Sequence, residues 1–253
     1  MPDHDDDDVA RALRSITPLR FFCGARRIGE APIHPGEKSL YDGVDPKVRR
    51  ATSTGRMLAR ELLRNLGITP APILRGEGGA PIWPAGIAGS IAHDDEFAVC
   101  VVGTADSGAD EEWATHANLI GVDVEPAHGL PAEILATVLV NADERATAGD
   151  DLVNARAIFC AKEAVYKMSY PLERKFYEFR DIALVRRRNA GGRYFPPSVM
   201  VAGPNRLHFH TSTGLEAWVT LVRTPRVIAV ATWARELGRP PRGRRNSPTR
   251  EAL

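Results

Sequence analysis

Hydrophobic residues between positions 45 and 67 recur at helical spacing, which is typical of a helix that packs one face on a core. The apolar stripe consists of Leu58, Leu62, Leu63 and Leu66. Asp45 suits the N-cap, Pro46 the first helical position and Gly67 the C-terminal end. We therefore predict a helix here. A second face of this helix carries Arg49, Arg56, Arg60 and Arg64.

A second helix is predicted over 151–169, with Pro171 just beyond its end. Its expected buried face consists of Ala157, Ile158, Ala161, Ala164, Val165 and Met168. At about 100° per residue, Glu163 lies nearly opposite that face. Its neighbours are Arg156, Phe159, Tyr166 and Lys167. Such a face is either solvated, with a weak Glu163–Lys167 pair, or part of a covered cleft, and the aromatic rings favour the cleft.

Alternating residues predict a strand over 118–126, with Ile120, Val122 and Val124 on one face and Asp123 and Glu125 on the other. Carboxylates two residues apart on a strand repel one another unless a cation lies between them. The pair is therefore either an exposed strand face or a metal-binding pair. Oxygen ligands favour Mg²⁺ or Mn²⁺ over zinc.

Further strands are predicted within 72–103, at 179–187, at 194–201 and as a hairpin over 215–234. A stretch of low apolarity at 103–117 separates two halves and predicts a linker or surface loop. The predicted organisation is an acidic disordered tail, an N-terminal half, a C-terminal half with the metal site, and a basic disordered tail. These segments are 1–18, 19–110, 111–236 and 237–253.

Composition narrows the class of protein. Net charge is +1, apolar residues are 43% and charged residues 26%, which is ordinary for a globular protein and does not predict nucleic acid or a membrane surface as partner. The cysteines at 23, 100 and 160 show neither CxxC nor zinc-ligand spacing. With no apolar run long enough to span a membrane, we expect a reduced, cytoplasmic protein.

Four segments in order carry a family resemblance: GRMLARELLRNLG, PILRGEGGAPIWPAGIAGSIAH, IGVDVEP and FCAKEAVYK. Together they resemble the 4′-phosphopantetheinyl transferases, in particular the larger, monomeric Sfp/EntD-like class. The resemblance implies an α+β fold of two pseudo-symmetric halves, each a small, mostly antiparallel sheet packed by a long helix, with coenzyme A between them.

The implied activity is that of a holo-[acyl-carrier-protein] synthase type transferase. It moves the 4′-phosphopantetheine of coenzyme A to a serine of carrier proteins in polyketide, nonribosomal peptide or fatty-acid synthesis, releasing 3′,5′-ADP. Asp123, Glu125 and Glu163, with the carbonyl of Val124, would bind Mg²⁺. Glu163 would be the general base and Lys167 its electrostatic partner. The implied coenzyme A contacts are Arg49, Arg56, Arg75, Gly76, Ala92, His93, Asp123, Lys162, Glu163 and Lys167.

Three positions depart from the family pattern. Asp94 follows His93 where many relatives have serine or cysteine, Phe159 replaces a tryptophan, and Val124 replaces a third acid found in some relatives. Two other functions stay open at this point: a degenerate paralogue that binds coenzyme A or a carrier without turnover, and a nucleic-acid binder using the arginines at 186–188 and the basic tail. A carrier is expected to dock around 168–178.

Overall fold

The computed structural model describes residues 4–69, 71–105, 119–185 and 204–233. Within these residues, two antiparallel sheets each carry one long helix. The predicted α+β class is confirmed.

The first half contains a three-stranded sheet in the order β1-β5-β4. Its strands are β1 (Phe22–Arg27), β4 (Ile87–His93) and β5 (Phe97–Thr104), and a small hairpin is formed by β2 (Leu74–Arg75) and β3 (Pro81–Ile82). Helix α2 (Pro46–Asn65) packs on β5.

Helix α2 begins and ends where its sequence predicts. The Asp45 carboxylate accepts hydrogen bonds from the backbone amides of Lys47 (2.8 Å) and Val48 (3.4 Å), and Gly67 follows the helix with a φ of 74°, which glycine adopts without strain. Leu58, Leu62 and Leu63 are buried against the sheet.

The second half contains a five-stranded sheet in the order β6-β10-β9-β8-β7. Its strands are β6 (Ile120–Pro126), β7 (Ile182–Leu184), β8 (Asn205–Thr211), β9 (Glu216–Arg223) and β10 (Arg226–Trp233). Its helices are α3 (Leu135–Val138), α4 (Ala142–Ala148) and α5 (Leu152–Glu173). Helix α5 packs on β6 and β10.

Helix α5 lies directly on β6. The six residues of its predicted buried face expose no surface, so that prediction is confirmed. A side chain at Gly121 of β6 would overlap the carbonyl oxygen of Ala164 in the helix, so only glycine allows this approach. The close packing fixes the charged side chains of α5 relative to those of β6.

The predicted end of this helix was wrong, because α5 continues through Pro171 to Glu173. Proline costs one backbone hydrogen bond within a helix, and here that loss falls in the last turns. Arg174 ends the helix in a left-handed conformation with a φ of 50°, and its amide donates to the carbonyl of Tyr170 at 2.9 Å.

The acidic N-terminal segment also differs from the prediction of a disordered tail. It forms α1 (His4–Ile16), whose Val9, Leu13 and Ile16 are buried. These residues recur at helical spacing after the run of aspartates, and the sheet surface beneath them supplies the apolar partner that a lone segment lacks. Helix α1 contacts β1, β9 and β10. The hydrophobic cluster to which it belongs includes residues of both halves.

Polar contacts join the halves at β4 and in the turn after it. The hydroxyl of Ser90 in β4 accepts a hydrogen bond from the amide of Val122 in β6 at 3.1 Å. Arg226, at the start of β10, forms ion pairs with Asp94 (2.8 Å) and Glu96 (2.6 Å) in the turn after β4.

Several predictions fall outside the described residues: the strand at 194–201, the arginines at 186–188, the tail at 237–253 and most of the loop at 103–117. The strand-like segment at 179–187 is described as far as 185, and it consists of a short 3-10 turn (Phe179–Asp181) followed by β7. In the part of the chain that the structure describes, no helix has the length and apolar character needed to cross a membrane.

Candidate active site

The carboxylates of β6 lie beneath the charged face of α5. Asp123 is 4% exposed, and its Oδ1 accepts from the ammonium of Lys167 at 2.5 Å. Its other oxygen, Oδ2, is buried and has no hydrogen-bond partner among the described residues. Glu125 forms an ion pair with Arg156 at 2.9 Å. An unsatisfied, buried carboxylate oxygen is costly unless a ligand or an ion completes its shell.

Negative charge is concentrated here in a poorly hydrated place. Burial, followed by the charge of Asp123, raises the pKa of Glu125 to about 7. The same two causes, in the same order, raise the pKa of Glu163 on α5. Burial is the larger cause of both shifts, and repulsion by Asp123 adds to it. A bound cation would relieve that repulsion.

Lys167 supplies part of the compensating charge. Burial by itself would lower the pKa of its ammonium, but the carboxylates of Asp123 and Glu163 more than offset this and hold that pKa above its usual value. Lys167 is therefore a fixed cation beside the Asp123 carboxylate. Asp123, Glu163 and Lys167 are within electrostatic reach of one another, and their predicted roles toward a metal and coenzyme A stay predictions.

The donor set fits a hard divalent cation in chemistry, since it consists of carboxylate oxygens, one of them buried and unpaired. Among the described residues, however, no group of three or more His, Cys, Asp or Glu side chains already stands in a ligating arrangement. The ion pairs of Asp123 with Lys167 and of Glu125 with Arg156 hold the β6 carboxylates instead. Ligation by all three acids would require side chains to rotate from these positions. The side chain of Val124 is buried in the core, so only its carbonyl could contribute.

Lys162 takes a position different from the expected one beside the cofactor phosphates. Its side chain is fully buried, and its Nζ contacts Glu144 Oε1 (2.8 Å) and donates to the carbonyls of Val138 (2.8 Å) and Phe179 (2.9 Å). The Glu144 carboxylate in turn accepts from the amides of Val140 and Leu184. This network ties α5 to α4 and β7, and it leaves the ammonium no exposed surface for a ligand.

The first half contributes a basic cavity of about 300 Å³ between α2 and the sheet. Arg56, Arg75 and His93 line it, together with Tyr41. Arg56 is held in place because its Nε donates to the carbonyl of Ile73 at 2.8 Å. Such a set of guanidinium groups and a histidine suits a phosphate ester.

The other basic residues of α2 separate into buried and exposed groups. Arg60 is buried and pairs with Glu37 at 2.5 Å, which makes it part of the scaffold. Arg49 and Arg64 are exposed. Arg49 lies at the start of α2 and is not among the residues that line the basic cavity, so its predicted contact with coenzyme A stays a prediction.

The backbone of Gly76 and Ala92, which is predicted to contact coenzyme A, already takes part in contacts within the protein. The amide of Gly76 donates to the carbonyl of Ala80 at 2.8 Å, within the loop between β2 and β3. Ala92 is buried in β4, where it pairs with Val99 of β5. Neither observation tests whether a carbonyl of these residues contacts a ligand.

His93 and Asp94 mark the end of β4 at the seam between the halves. Desolvation by the surrounding protein, followed by the positive charge of Lys167, lowers the pKa of His93, so the histidine is within electrostatic reach of the second half. Asp94 Oδ1 accepts from the amides of Glu96 and Phe97, both at 2.7 Å. Its other oxygen faces Arg226 of the second half. The aspartate that stands where many relatives have serine or cysteine therefore stabilises the turn after β4 and the contact between the halves.

Three cavities share lining residues and together form a cleft: the first is lined by the first half, the middle one by both halves and the third by the second half. The basic cavity shares Gly79, Pro81 and Ile91 with a smaller one of about 160 Å³. That one shares Tyr166 with a third, of about 600 Å³, which is lined by Glu163 and aromatic residues of the second half. The cleft can therefore take a long ligand with an anionic end.

Sequence reasoning missed several residues that line this cleft. Tyr41, Trp83, Ser90, Tyr170 and Tyr177 belong to the cavities. Ser90 and Tyr170 lie within the matching segments or directly after them, so their positions were a usable signal. Tyr41 and Tyr177 lie outside those segments, and no spacing in the sequence distinguishes them.

Comparison with known proteins adds two family models that match in chain order. Residues 37–103 match the 4′-phosphopantetheinyl transferase N-terminal domain, and residues 119–230 match the 4′-phosphopantetheinyl transferase superfamily. The 4′-phosphopantetheinyl transferase Svp of Streptomyces mobaraensis is 34% identical over 177 residues, which is 68% of this chain and 68% of Svp. The chain belongs to the 4′-phosphopantetheinyl transferase superfamily.

Two further phosphopantetheinyl transferases are similar. PptT of Mycobacterium tuberculosis is 36% identical over 151 residues, or 58% of this chain and 62% of PptT. Npt of Nocardia iowensis is 35% identical over 150 residues, or 58% of this chain and 64% of Npt. The chain thus spans somewhat less than two thirds of the length of PptT and of Npt. The second of the two family matches contains the acidic residues of the site, Asp123, Glu125 and Glu163.

Proposed function

We propose that the protein transfers the 4′-phosphopantetheine of coenzyme A to a serine of a carrier protein, as a monomeric, cytoplasmic enzyme of the holo-[acyl-carrier-protein] synthase type. The observation that carries the proposal is a row of three cavities with shared lining residues, which begins at Arg56, Arg75 and His93 and reaches Lys167 and Glu163. Coenzyme A has the matching shape and charge, since it is a long molecule with a phosphorylated nucleotide at one end. The three free cysteines suit a reducing compartment.

The placement of the substrate follows from the lining of the cavities. The nucleotide phosphates would lie against Arg56, Arg75 and His93, because guanidinium groups bind phosphate with charge-assisted hydrogen bonds. The diphosphate would lie near Lys167 in the middle of the cleft. The pantetheine arm would extend into the third cavity, where Tyr166, Tyr177 and Phe179 provide a partly apolar wall.

Asp123, Glu125 and Glu163 would hold a divalent cation, Mg²⁺ or Mn²⁺, which when bound supplies positive charge to the diphosphate oxygens. Glu163 would take the proton of the attacking serine hydroxyl as general base. The serine oxygen forms a bond to the phosphorus on the pantetheine side, and the bond to the 3′,5′-ADP oxygen breaks. Lys167 stabilises the charge that develops on the leaving group.

The carrier would dock beside the C-terminal end of α5. Leu172 is 37% exposed and Phe176 63% exposed. Arg174 and Lys175 lie between them in the sequence, and Arg180 follows four residues after Phe176. Apolar anchors within a basic rim suit a partner surface with apolar and acidic residues. The location also brings a bound carrier close to Glu163, which lies on the same helix.

The test is a transfer reaction with purified protein, coenzyme A, Mg²⁺ and a panel of apo carrier proteins. We expect a phosphopantetheine adduct on a carrier by mass spectrometry and an equal amount of 3′,5′-ADP. The substitutions Asp123→Ala, Glu125→Ala and Glu163→Gln should each lower the rate by at least about a hundredfold. Glu133→Gln changes an exposed glutamate and should leave the rate unchanged.

The two results that would contradict the proposal differ in kind. Full activity in all three variants would refute the assignment of these acids. Binding of coenzyme A without adduct or 3′,5′-ADP, with every carrier tested, would instead indicate a degenerate paralogue.

A further inference from the structure

The hydroxyl of Tyr170, near the end of α5, is buried and has no hydrogen-bond partner among the described residues. The residue as a whole is only 3% exposed. Buried hydroxyl groups in folded proteins nearly always have a partner, because leaving one unpaired forfeits its hydrogen bonds to water. The described residues therefore leave the Tyr170 hydroxyl open to a further partner, such as a bound ligand.

The ring of Tyr170 is held firmly on several sides. Ring centroids lie 5.7 Å away at Tyr166 and 5.4 Å away at Phe176, and the guanidinium of Arg174 lies 5.8 Å from the centre of the Tyr170 ring. These neighbours pack against the ring and hold it near its present orientation. The position of the hydroxyl is thus set by packing.

The hydroxyl is directed across the cleft at the loop between β2 and β3. A side chain at Gly78 would overlap the Tyr170 hydroxyl, so the backbone of this loop lies directly against it. Gly78 and Gly79 have φ values of 64° and 83°, which glycine adopts readily. The loop between β2 and β3 in the first half therefore covers the Tyr170 hydroxyl of the second half.

Tyr170 lines the middle cavity of the cleft, of about 160 Å³, together with Lys167, Ser90 and the glycines of the loop. This cavity lies between the one proposed for the nucleotide phosphates and the one proposed for the pantetheine arm. A ligand that spans the cleft must pass through it. The unpaired donor and the ammonium of Lys167 are then available to the same stretch of ligand.

We propose that the Tyr170 hydroxyl donates a hydrogen bond to an oxygen of the 4′-phosphopantetheine portion of coenzyme A, making Tyr170 a further substrate-binding residue. The inference rests on the proposed function, since it takes coenzyme A as the ligand of the cleft. It assigns Tyr170 to the part of coenzyme A that is transferred and not to the part that is released as 3′,5′-ADP.

The test compares Tyr170→Phe with wild type, because this substitution removes one oxygen atom and keeps the ring. Calorimetry in the presence of Mg²⁺ would measure the Kd of coenzyme A and, separately, of 3′,5′-ADP. We expect the Kd of coenzyme A to rise roughly tenfold. The Kd of 3′,5′-ADP should stay within about twofold, since a ligand without phosphopantetheine cannot make the bond.

Unfolding in urea provides the matched control. The midpoint of Tyr170→Phe should equal or exceed that of wild type, because no hydrogen bond within the protein is lost. Tyr177→Phe removes a phenol that does have a partner, donating to Glu173 Oε2 at 2.6 Å, and its midpoint should fall. A fall for Tyr170→Phe as well would show that the hydroxyl is satisfied inside the protein and would overturn the proposal.

Two affinity results would also overturn it: an unchanged Kd for coenzyme A, or equal losses for coenzyme A and 3′,5′-ADP, which would mean that Tyr170 acts on the shape of the whole cleft. Neither would affect the proposed function, which is decided by carrier modification with wild-type protein. If wild type instead binds coenzyme A but modifies no carrier, the transfer activity fails while the assignment of Tyr170 can still hold.

Discussion

Glu125 makes the stability of the protein depend on pH. Burial, followed by the charge of Asp123, raises its pKa in the folded state from an ordinary value of 4.5 to about 7. Between these two values the folded protein keeps a proton that the unfolded chain has released. The contribution of this group to stability is therefore present at low pH and is lost as pH rises to about 7.

We predict that, without divalent cations, this loss is on the order of 3 kcal/mol for wild type and absent in Glu125→Gln. The measurement is the free energy of unfolding in urea at pH 5 and pH 8 for both proteins, with a chelator present. Other groups titrate in both proteins alike, so the difference between the two pH slopes reports Glu125. Equal slopes would show that the pKa of this carboxyl is close to its ordinary value.

Neighbouring residues show how far the sequence could predict the site. Glu163 and Lys162 are adjacent in the same matching segment, and both were assigned to the cofactor. The helical period correctly placed Glu163 opposite the buried face, but Lys162 is fully buried beside Glu144. The partner lies 18 residues earlier in the sequence, and a buried pair of that kind follows from tertiary packing, which no local spacing reports.

Helix α5 and strand β6 act together as the frame of the site. Gly121 lets the helix lie directly on the strand, and this closeness brings Lys167 within 2.5 Å of Asp123. The two elements were both predicted from their periods. The short distance between the helix and the strand was not predicted from the sequence, because the requirement for glycine at 121 is visible only when the helix lies on the strand.

We predict that Gly121→Ala destabilises the protein by roughly 3 kcal/mol or more, since the added methyl group would overlap the Ala164 carbonyl oxygen. Urea unfolding would measure the change. Gly29→Ala is the control, because a methyl group there meets no atom within 4 Å. A loss of less than about 1 kcal/mol for Gly121→Ala would mean that the helix can move away from the strand at little cost.

Helix α1 packs on residues of both halves and shares one hydrophobic core with them. We predict that Leu13→Ala lowers the free energy of unfolding by about 3 kcal/mol, because Leu13 is fully buried in this shared core. Arg11→Ala, which removes an exposed pair with Asp8, should change stability by less than about 1 kcal/mol. If α1 were dispensable, both substitutions would have equally small effects in urea unfolding.

The prediction for this segment failed for a physical reason. The run of aspartates at its start indicated a solvated tail, while Val9, Leu13 and Ile16 offered only a short apolar stripe. A stripe of that length is not stable by itself, and its partner is a surface assembled from strands far along the chain. The order of the four matching segments did predict the fold class, because that feature depends on the segments themselves.

Helix α1 also constrains when the protein can finish folding. Helix α1 leaves the ribosome long before β9 and β10, against which it packs. During synthesis the apolar side of α1 must therefore stay uncovered or rest on temporary contacts. Strands β9 and β10 complete the burial of this side of α1, so a chain halted before them would leave that surface open to chaperones and proteases.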